Sequence, residues 1–271
     1  IDALRAKDAT FAAMVRRPEA AEQFKRDGIE TRVADLEQRE TLDRALAGVE
    51  TAFLVAPASP ELPRMQRRFI VAAREAGVRR IVKLSGMGAQ PHHPCGFLRW
   101  NAIAESILMA SGVGWTMLRP TSFLQNLGAL CAGMVKQLGG LYLPAGDAAI
   151  PMIDVRDIAA AAATVLTEDG HDNRIYDLTG PALVTHYEVA DTLTELLGRD
   201  ISYHPVSDAD AWKAMRQSGM PDALCHAVIA LWQSHRRGES AIVSGWVEIL
   251  TGRPPIALRD YLEENLDQFR A

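Results

Sequence analysis

Residues 111–126 read SGVGWTMLRPTSFLQN, and the chain changes character in the middle of them. Trp115, Thr116, Met117 and Leu118 form a short run suited to a buried strand, and Arg119-Pro120 stops it abruptly. Proline has no N–H to give a sheet ladder, and it pushes the residue before it out of helical geometry. Thr121 and Ser122 then offer side-chain oxygens where a new helix would begin. A strand that closes on a polar turn and feeds a helix places that turn at the carboxyl edge of a parallel sheet. Open α/β sheets bind their ligands in the crevice outside that edge. The stretch from Pro120 through Thr121 and Ser122 to Phe123 therefore reads as the floor of a ligand site. The alternative is a plain strand-to-helix connector.

Upstream, apolar stretches at 10–15, 29–34, 51–55 and 81–84 alternate with helical patterns at 18–26, 37–47, 61–76 and 97–110. Gly28, Gly48 and Gly77 close three of these helices, as glycine commonly does. Strands of four to seven residues between longer helices are the pattern of a doubly wound parallel sheet. Downstream, 141–143 and 149–153 are short extended pieces, 155–166 is an Ala-rich helix and 175–178 another strand. Helices follow at 185–197, 207–218, 221–236 and 258–269. The expected fold is α/β: a Rossmann-type doubly wound parallel sheet with a smaller, mainly helical C-terminal lobe. Residues 1–140 would form the dinucleotide-binding core, 150–180 would return to it, and 181–271 would be the substrate or lid lobe.

A chain of 271 residues can bury one large α/β domain, or a domain plus a small lobe. The net charge of −5, with no Lys/Arg run, argues against a nucleic-acid surface. Cys95, Cys131 and Cys225 are odd in number and scattered, which gives no disulfide framework and no Cys-x-x-Cys metal pair. This usage fits a reducing cytoplasm. No apolar run approaches the roughly 18 residues of a membrane span, and IDALRAKD lacks the apolar core of a signal peptide. His92-His93-Pro94-Cys95 lacks the four spaced ligands of a structural zinc, so no metal is expected.

Eight landmarks stand in one order: VRRP, VAD, FLVAP, AGVRRIVKLSGMGA, the stretch quoted above, PMIDVRDIA, YDLTG and TGRPPIALRDYL. Together they resemble the NmrA-like proteins, atypical members of the short-chain dehydrogenase/reductase superfamily. That family includes NAD(P)H-dependent quinone and triphenylmethane-dye reductases and also non-catalytic NADP-sensing regulators. The resemblance covers nearly the whole chain and implies NADP(H) as cofactor. The family opens with a strand and a Gly-rich loop whose amides cradle the pyrophosphate at a helix N-terminus. Here the residues begin inside the helix that should follow, so an incomplete N-terminus is expected.

An NAD-preferring site carries a carboxylate after its second strand, whereas an NADP site presents Arg to the 2′-phosphate. Arg16 and Arg17 stand there, with no carboxylate until Glu19; the alternative is a solvated basic turn. By the resemblance Asp35 and Leu36 would flank the adenine, and Ala56 and Pro57 would run beside the pyrophosphate and ribose. Ser85 and Gly86, with the turn from Pro120 to Phe123 that includes Thr121, would hold the nicotinamide half. Asp35 could equally be a helix cap.

The typical Tyr-x-x-x-Lys of the superfamily is missing: no Tyr precedes Tyr142, and FLRWNAIAESIL carries no Lys. Asn101 stands where related reductases often carry a His and is the nearest catalytic candidate. Trp100, Asn101, Phe123 and Asn126 are candidates to line an acceptor pocket, with simple packing or surface as the alternative. Trp212, Trp232 and Trp246 read as lid packing, a border of the substrate cleft, or the contact of a homodimer. The expected function is an NADP(H)-binding oxidoreductase that delivers hydride to a quinone-like or conjugated dye acceptor, a small molecule. The rival is a redox-sensing regulator that binds NADP(H) and a protein partner without catalysis. The missing Tyr/Lys pair favours the rival, and the stand-alone length with its C-terminal lobe favours the enzyme.

Overall fold

The computed structural model describes residues 1–270. In chain order the first elements are α1 (Asp2–Arg5), β1 (Ala12–Val15), α2 (Pro18–Arg26), β2 (Glu30–Val33) and α3 (Arg39–Leu46). Next come β3 (Thr51–Leu54), α4 (Leu62–Glu75), β4 (Arg80–Leu84), α5 (Gly96–Met109) and β5 (Gly114–Pro120). The remainder holds α6 (Ala132–Leu138), β6 (Gly140–Leu143), α7 (Val155–Thr167), β7 (Arg174–Leu178) and α8 (His186–Leu197). It ends with β8 (Ser202–Pro205), α9 (Asp208–Gln217), α10 (Asp222–Arg236), α11 (Trp246–Thr251) and α12 (Leu258–Glu264). None of the helices among the described residues is long and apolar enough to cross a membrane.

The chain packs as two compact units. The first takes Ile1–Ser85, Trp100–Leu118 and Ala159–Tyr176; the second takes Gly86–Arg99, Arg119–Ile158 and the chain from Asp177 on. In the first unit β1 and β2 pair in parallel, with Val15 opposite Val33. A second parallel sheet runs β3-β4-β5-β7, with Leu54 opposite Lys83 and Leu84 opposite Leu118. Leu42, Leu46, Phe69 and Ile70 from α3 and α4 bury against Leu54, Ile81 and Met117 of this sheet. At roughly 1.5–3 kcal/mol for each such side chain, this apolar layer outweighs the modest propensities of the short strands. Strands β4 and β5 are buried on both faces, as parallel strands in α/β proteins are. Strands β1, β2 and β3 depart from that expectation: Met14, Val33 and Phe53 remain exposed. Among the described residues β1 and β3 each form a ladder on one edge only.

The second unit has its own core of Leu124, Leu127, Val135, Leu141, Leu143, Ile150, Leu193, Ile201, Leu262 and Phe269. Its sheet was not legible as such: β6 pairs in parallel with β8, Tyr142 opposite His204. The C-terminal stretch thus carries a strand within its helices. Ser202–Pro205 reads SYHP, with a proline and no apolar alternation, so only the partner strand reveals it. Gly180 permits a close backbone approach in this unit; a Cβ there would lie 1.9 Å from the Met152 carbonyl oxygen.

Candidate functional site

Parallel strands carry their following residues to one edge, so Arg16 and Asp35 lie at the carboxyl edge of β1–β2. Ala56, Pro57 and Ser85 lie at the carboxyl edge of β3–β4. Arg16 and Arg17 are exposed, and neither guanidinium has a hydrogen bond or ion pair among the described residues. Some arginines of this unit are engaged, Arg32 with the Ala45 and Ala47 carbonyls at 2.8 and 2.9 Å and Arg64 with Glu37 at 2.9 Å, whereas Arg26, Arg44, Arg67 and Arg74 are as open as Arg16 and Arg17; what distinguishes the latter two is their place at the carboxyl edge of β1. An open guanidinium at this edge is a donor fit for a phosphate ester, which pairs with arginine in a bidentate and geometrically selective way. Asp35 turns one carboxylate oxygen back on its own loop, accepting from the Glu37 N–H at 2.9 Å, and its backbone N–H donates to Thr41 Oγ1 at 2.9 Å. Leu36 packs partly buried against the core. Ala56 is half-buried and Pro57 exposed.

The end of β4 holds a polar network that sequence reasoning missed. Lys83 is fully buried, and its ammonium donates to Asn101 Oδ1 at 2.6 Å and to the Leu84 carbonyl at 3.0 Å. Two residues on, Ser85 Oγ donates to Glu105 Oε1 at 2.5 Å, and the Ser85 N–H donates to the Leu118 carbonyl at 2.7 Å. The spacing explains the pairing: Lys83 and Ser85 share one face of the strand, while Asn101 and Glu105 sit four residues apart on one face of α5. A charge buried in a strand needs such partners. The α5 helix lacks a lysine of its own, yet β4 supplies one to Asn101. The signal was present in RIVKL, where a cation interrupts an otherwise apolar run. Trp100, the neighbour of Asn101, is only 8% exposed.

In the second unit the turn after β5 departs from expectation. Thr121 and Ser122 cap no helix. The chain stays extended instead: the Thr121 N–H donates to the Leu178 carbonyl, the Leu124 N–H to that of Ile153, and the Ile153 N–H to that of Ser122. Phe123 bridges Ile153 in parallel. Thr121 Oγ1 donates to the Pro151 carbonyl at 2.6 Å, so both its polar groups are committed to neighbouring strands. Helical structure resumes at Gln125 and runs into a π turn at Leu127–Cys131. Gly86 fits closely here, since a Cβ would come 3.1 Å from Leu98 Cδ2. Pro120 is buried, Phe123 half-buried and Asn126 exposed.

The PMIDVRDIA segment supports this turn. Gln125 Oε1 accepts from the Val155 N–H at 3.1 Å. Burial pushes the Asp154 carboxyl up, but hydrogen bonds from the Arg156 guanidinium and N–H outweigh it and hold the group below the usual carboxylate range. Asp157 accepts from the Ile256 N–H at 2.8 Å and pairs with Arg253 at 2.7 Å; burial still dominates and pushes its carboxyl up. Asp157 thus anchors the C-terminal segment directly, while Arg156, held by Asp154, reaches Glu264 at 2.6 Å. His93 holds its own loop, accepting from the Cys95 N–H at 3.0 Å, with Nε2 3.2 Å from Glu239 Oε2. Trp232 packs against the second core and meets the His186 ring edge-on, Trp212 lies over His226, and Trp246 is exposed.

Residues 1–169 match a protein-family model described as NAD(P)H-binding. The chain is 34% identical to an NAD(P)H azoreductase of Xenophilus azovorans, over 96% of this chain and 91% of that protein. Its fold superposes on an NADPH-dependent quinone oxidoreductase of Escherichia coli, solved with NADPH, at a TM-score of 0.90. Identity there is 29%, with 98% of this chain and 94% of that one covered. A triphenylmethane reductase of Citrobacter sp. gives 0.87 at 26% identity, covering 98% of this chain and 94% of that one.

Proposed function

The chain belongs to the NAD(P)H-binding family, in its NmrA-like group, and from that premise we propose that it is a reductase using NADP(H) to deliver hydride to a quinone-like or conjugated dye acceptor. The observation that carries the choice of cofactor is the open pair Arg16 and Arg17, which would take the 2′-phosphate. Asp35 and Leu36 would flank the adenine, Ala56 and Pro57 the ribose and pyrophosphate, and Ser85 the nicotinamide half. Gly86, Pro120, Thr121 and Phe123 are further candidates for nicotinamide contact. When bound, the dihydronicotinamide supplies the hydride. The protein's own part is to hold the acceptor in line and keep water out, and positioning of this kind is worth several orders of magnitude in rate. Phe123 and Asn126 retain open surface for an acceptor, whereas Trp100 is nearly buried and Asn101 is held by Lys83.

One feature favours a second reading: α5 carries no Tyr-x-x-x-Lys. A redox sensor that binds NADP(H) and a protein partner without turnover needs no such pair. The two readings separate by following NADPH absorbance with a panel of quinones, azo dyes and triphenylmethane dyes, with NADPH binding measured independently by calorimetry. Acceptor-dependent oxidation above the enzyme-free rate is expected. Confirmed binding with a flat trace throughout would refute the enzyme and leave the sensor.

A further inference from the structure

The second unit contains a hydrogen-bonded chain that the hydride reaction itself does not explain. Ser122 Oγ lies 3.2 Å from His235 Nε2, and His235 Nδ1 lies 2.6 Å from Ser240 Oγ. Ser122 stands in the turn after β5, His235 is in the last turn of α10 and 5% exposed, and Ser240, itself 9% exposed, lies just beyond that helix next to exposed Glu239. The Trp232 ring meets the imidazole edge-on at 5.7 Å. The nearby Glu239 carboxylate is committed to Ser234, Arg237 and His93. Burial pulls His235 down to about 4, so the ring is neutral in ordinary buffers. A neutral imidazole donates at one nitrogen and accepts at the other. With a hydroxyl on each side it passes a proton by exchanging tautomers, never carrying a charge.

We propose that Ser122, His235 and Ser240 form a proton relay that serves acceptors whose reduction leaves an oxyanion. The proposal rests on the reductase reading above. Hydride, two electrons and one proton, leaves the reduced dinucleotide and bonds to the quinone, and the electron pair displaced onto oxygen makes a phenolate. The phenolate takes the Ser122 hydroxyl proton; Ser122 Oγ takes the Nε2 proton of His235; Nδ1 takes the Ser240 proton; water restores Ser240. The quinone is reduced, the dinucleotide oxidised, and one solvent proton consumed. Half-buried Ser122 would meet the acceptor in this relay, and His235 and Ser240 would act through it as positioning residues.

The chemistry supplies its own control. A cationic triarylmethane dye accepts hydride on its central carbon and becomes neutral without gaining a proton, so the relay is idle for it. The ratio of quinone to dye kcat, measured with NADPH on the full chain, therefore reports the relay rather than folding or cofactor binding. Positioned proton transfer contributes about 10²–10⁴-fold. His235→Gln is expected to lower that ratio about 100-fold or more, and to abolish the solvent deuterium effect on quinone turnover. Ser240→Ala, which leaves the buried ring in place, should lower the ratio in the same direction if His235→Gln folds poorly. Equal loss with both acceptors would mean a structural tie and overturn the relay, as would no loss with either. Wild-type protein that turns over neither acceptor would overturn the reductase reading, and the relay with it.

Discussion

Asn101→Ala should destabilise the protein, although the residue is only half-buried. The amide oxygen of Asn101 accepts from an ammonium that is 0% exposed, at 2.6 Å. A hydrogen bond to a charged group contributes about 1.5–3 kcal/mol, and a buried charge deprived of a partner cannot turn to water instead. For a chain of this size roughly 2 kcal/mol corresponds to a fall of about 4–8 °C in Tm. Removing the other partner with Lys83→Met carries its own cost, so the informative quantity is the double-mutant cycle. Residues that share a buried bond should be non-additive by at least about 1 kcal/mol. Urea denaturation of the four proteins, followed by far-UV circular dichroism, gives the coupling directly, and acceptor KM on the same samples separates a structural anchor from a substrate contact. An anchor shifts stability with little change in KM. Simple additivity, or a melt of Asn101→Ala within about 1 °C of wild type, would refute the buried bond as the reason for this residue.

Arg16→Ala should weaken NADPH binding about tenfold, the lower end of the range for a charge-assisted bond because the side chain is exposed. NADH affinity should barely change; calorimetry in which both cofactors weaken together, or neither does, would remove the 2′-phosphate role. Acid should destabilise the second unit through its buried imidazoles. Burial holds His186 and His235 at about 4, whereas an unfolded chain takes up the proton near pH 6.5. The unfolded state therefore binds more protons between those values, so this stability is complete above about pH 6.5 and lost as pH falls towards 4. Each ring contributes on the order of 3 kcal/mol to the loss. The Nδ1 of His186 has no hydrogen-bond partner, so His186→Leu should flatten the profile of urea midpoints between pH 7.5 and 4.5 at little cost at neutral pH. A variant whose profile parallels the wild type would contradict this account.

Local pattern was enough for the parallel α/β architecture of the first unit. Apolar runs such as RIVKL and WTML alternate with amphipathic helices such as LPRMQRRFIVAARE, and glycines close the helices. Burial periodicity and backbone sterics act within a few residues, so they are written in consecutive residues. The same logic located the carboxyl-edge turns, and the order of eight landmarks located the family. What only the tertiary structure decided is which side chain meets which. Lys83 finds Asn101 on the next helix, Ser122 finds His235 more than a hundred residues away, Thr121 spends its hydroxyl on Pro151 rather than on a helix cap, and SYHP becomes a strand because Gly140–Leu143 lies beside it. Hydrogen bonds depend on tenths of an ångström between groups distant in sequence, and no local periodicity encodes that distance. Burial then sets the consequences, holding one lysine in a dry network and keeping two imidazoles neutral.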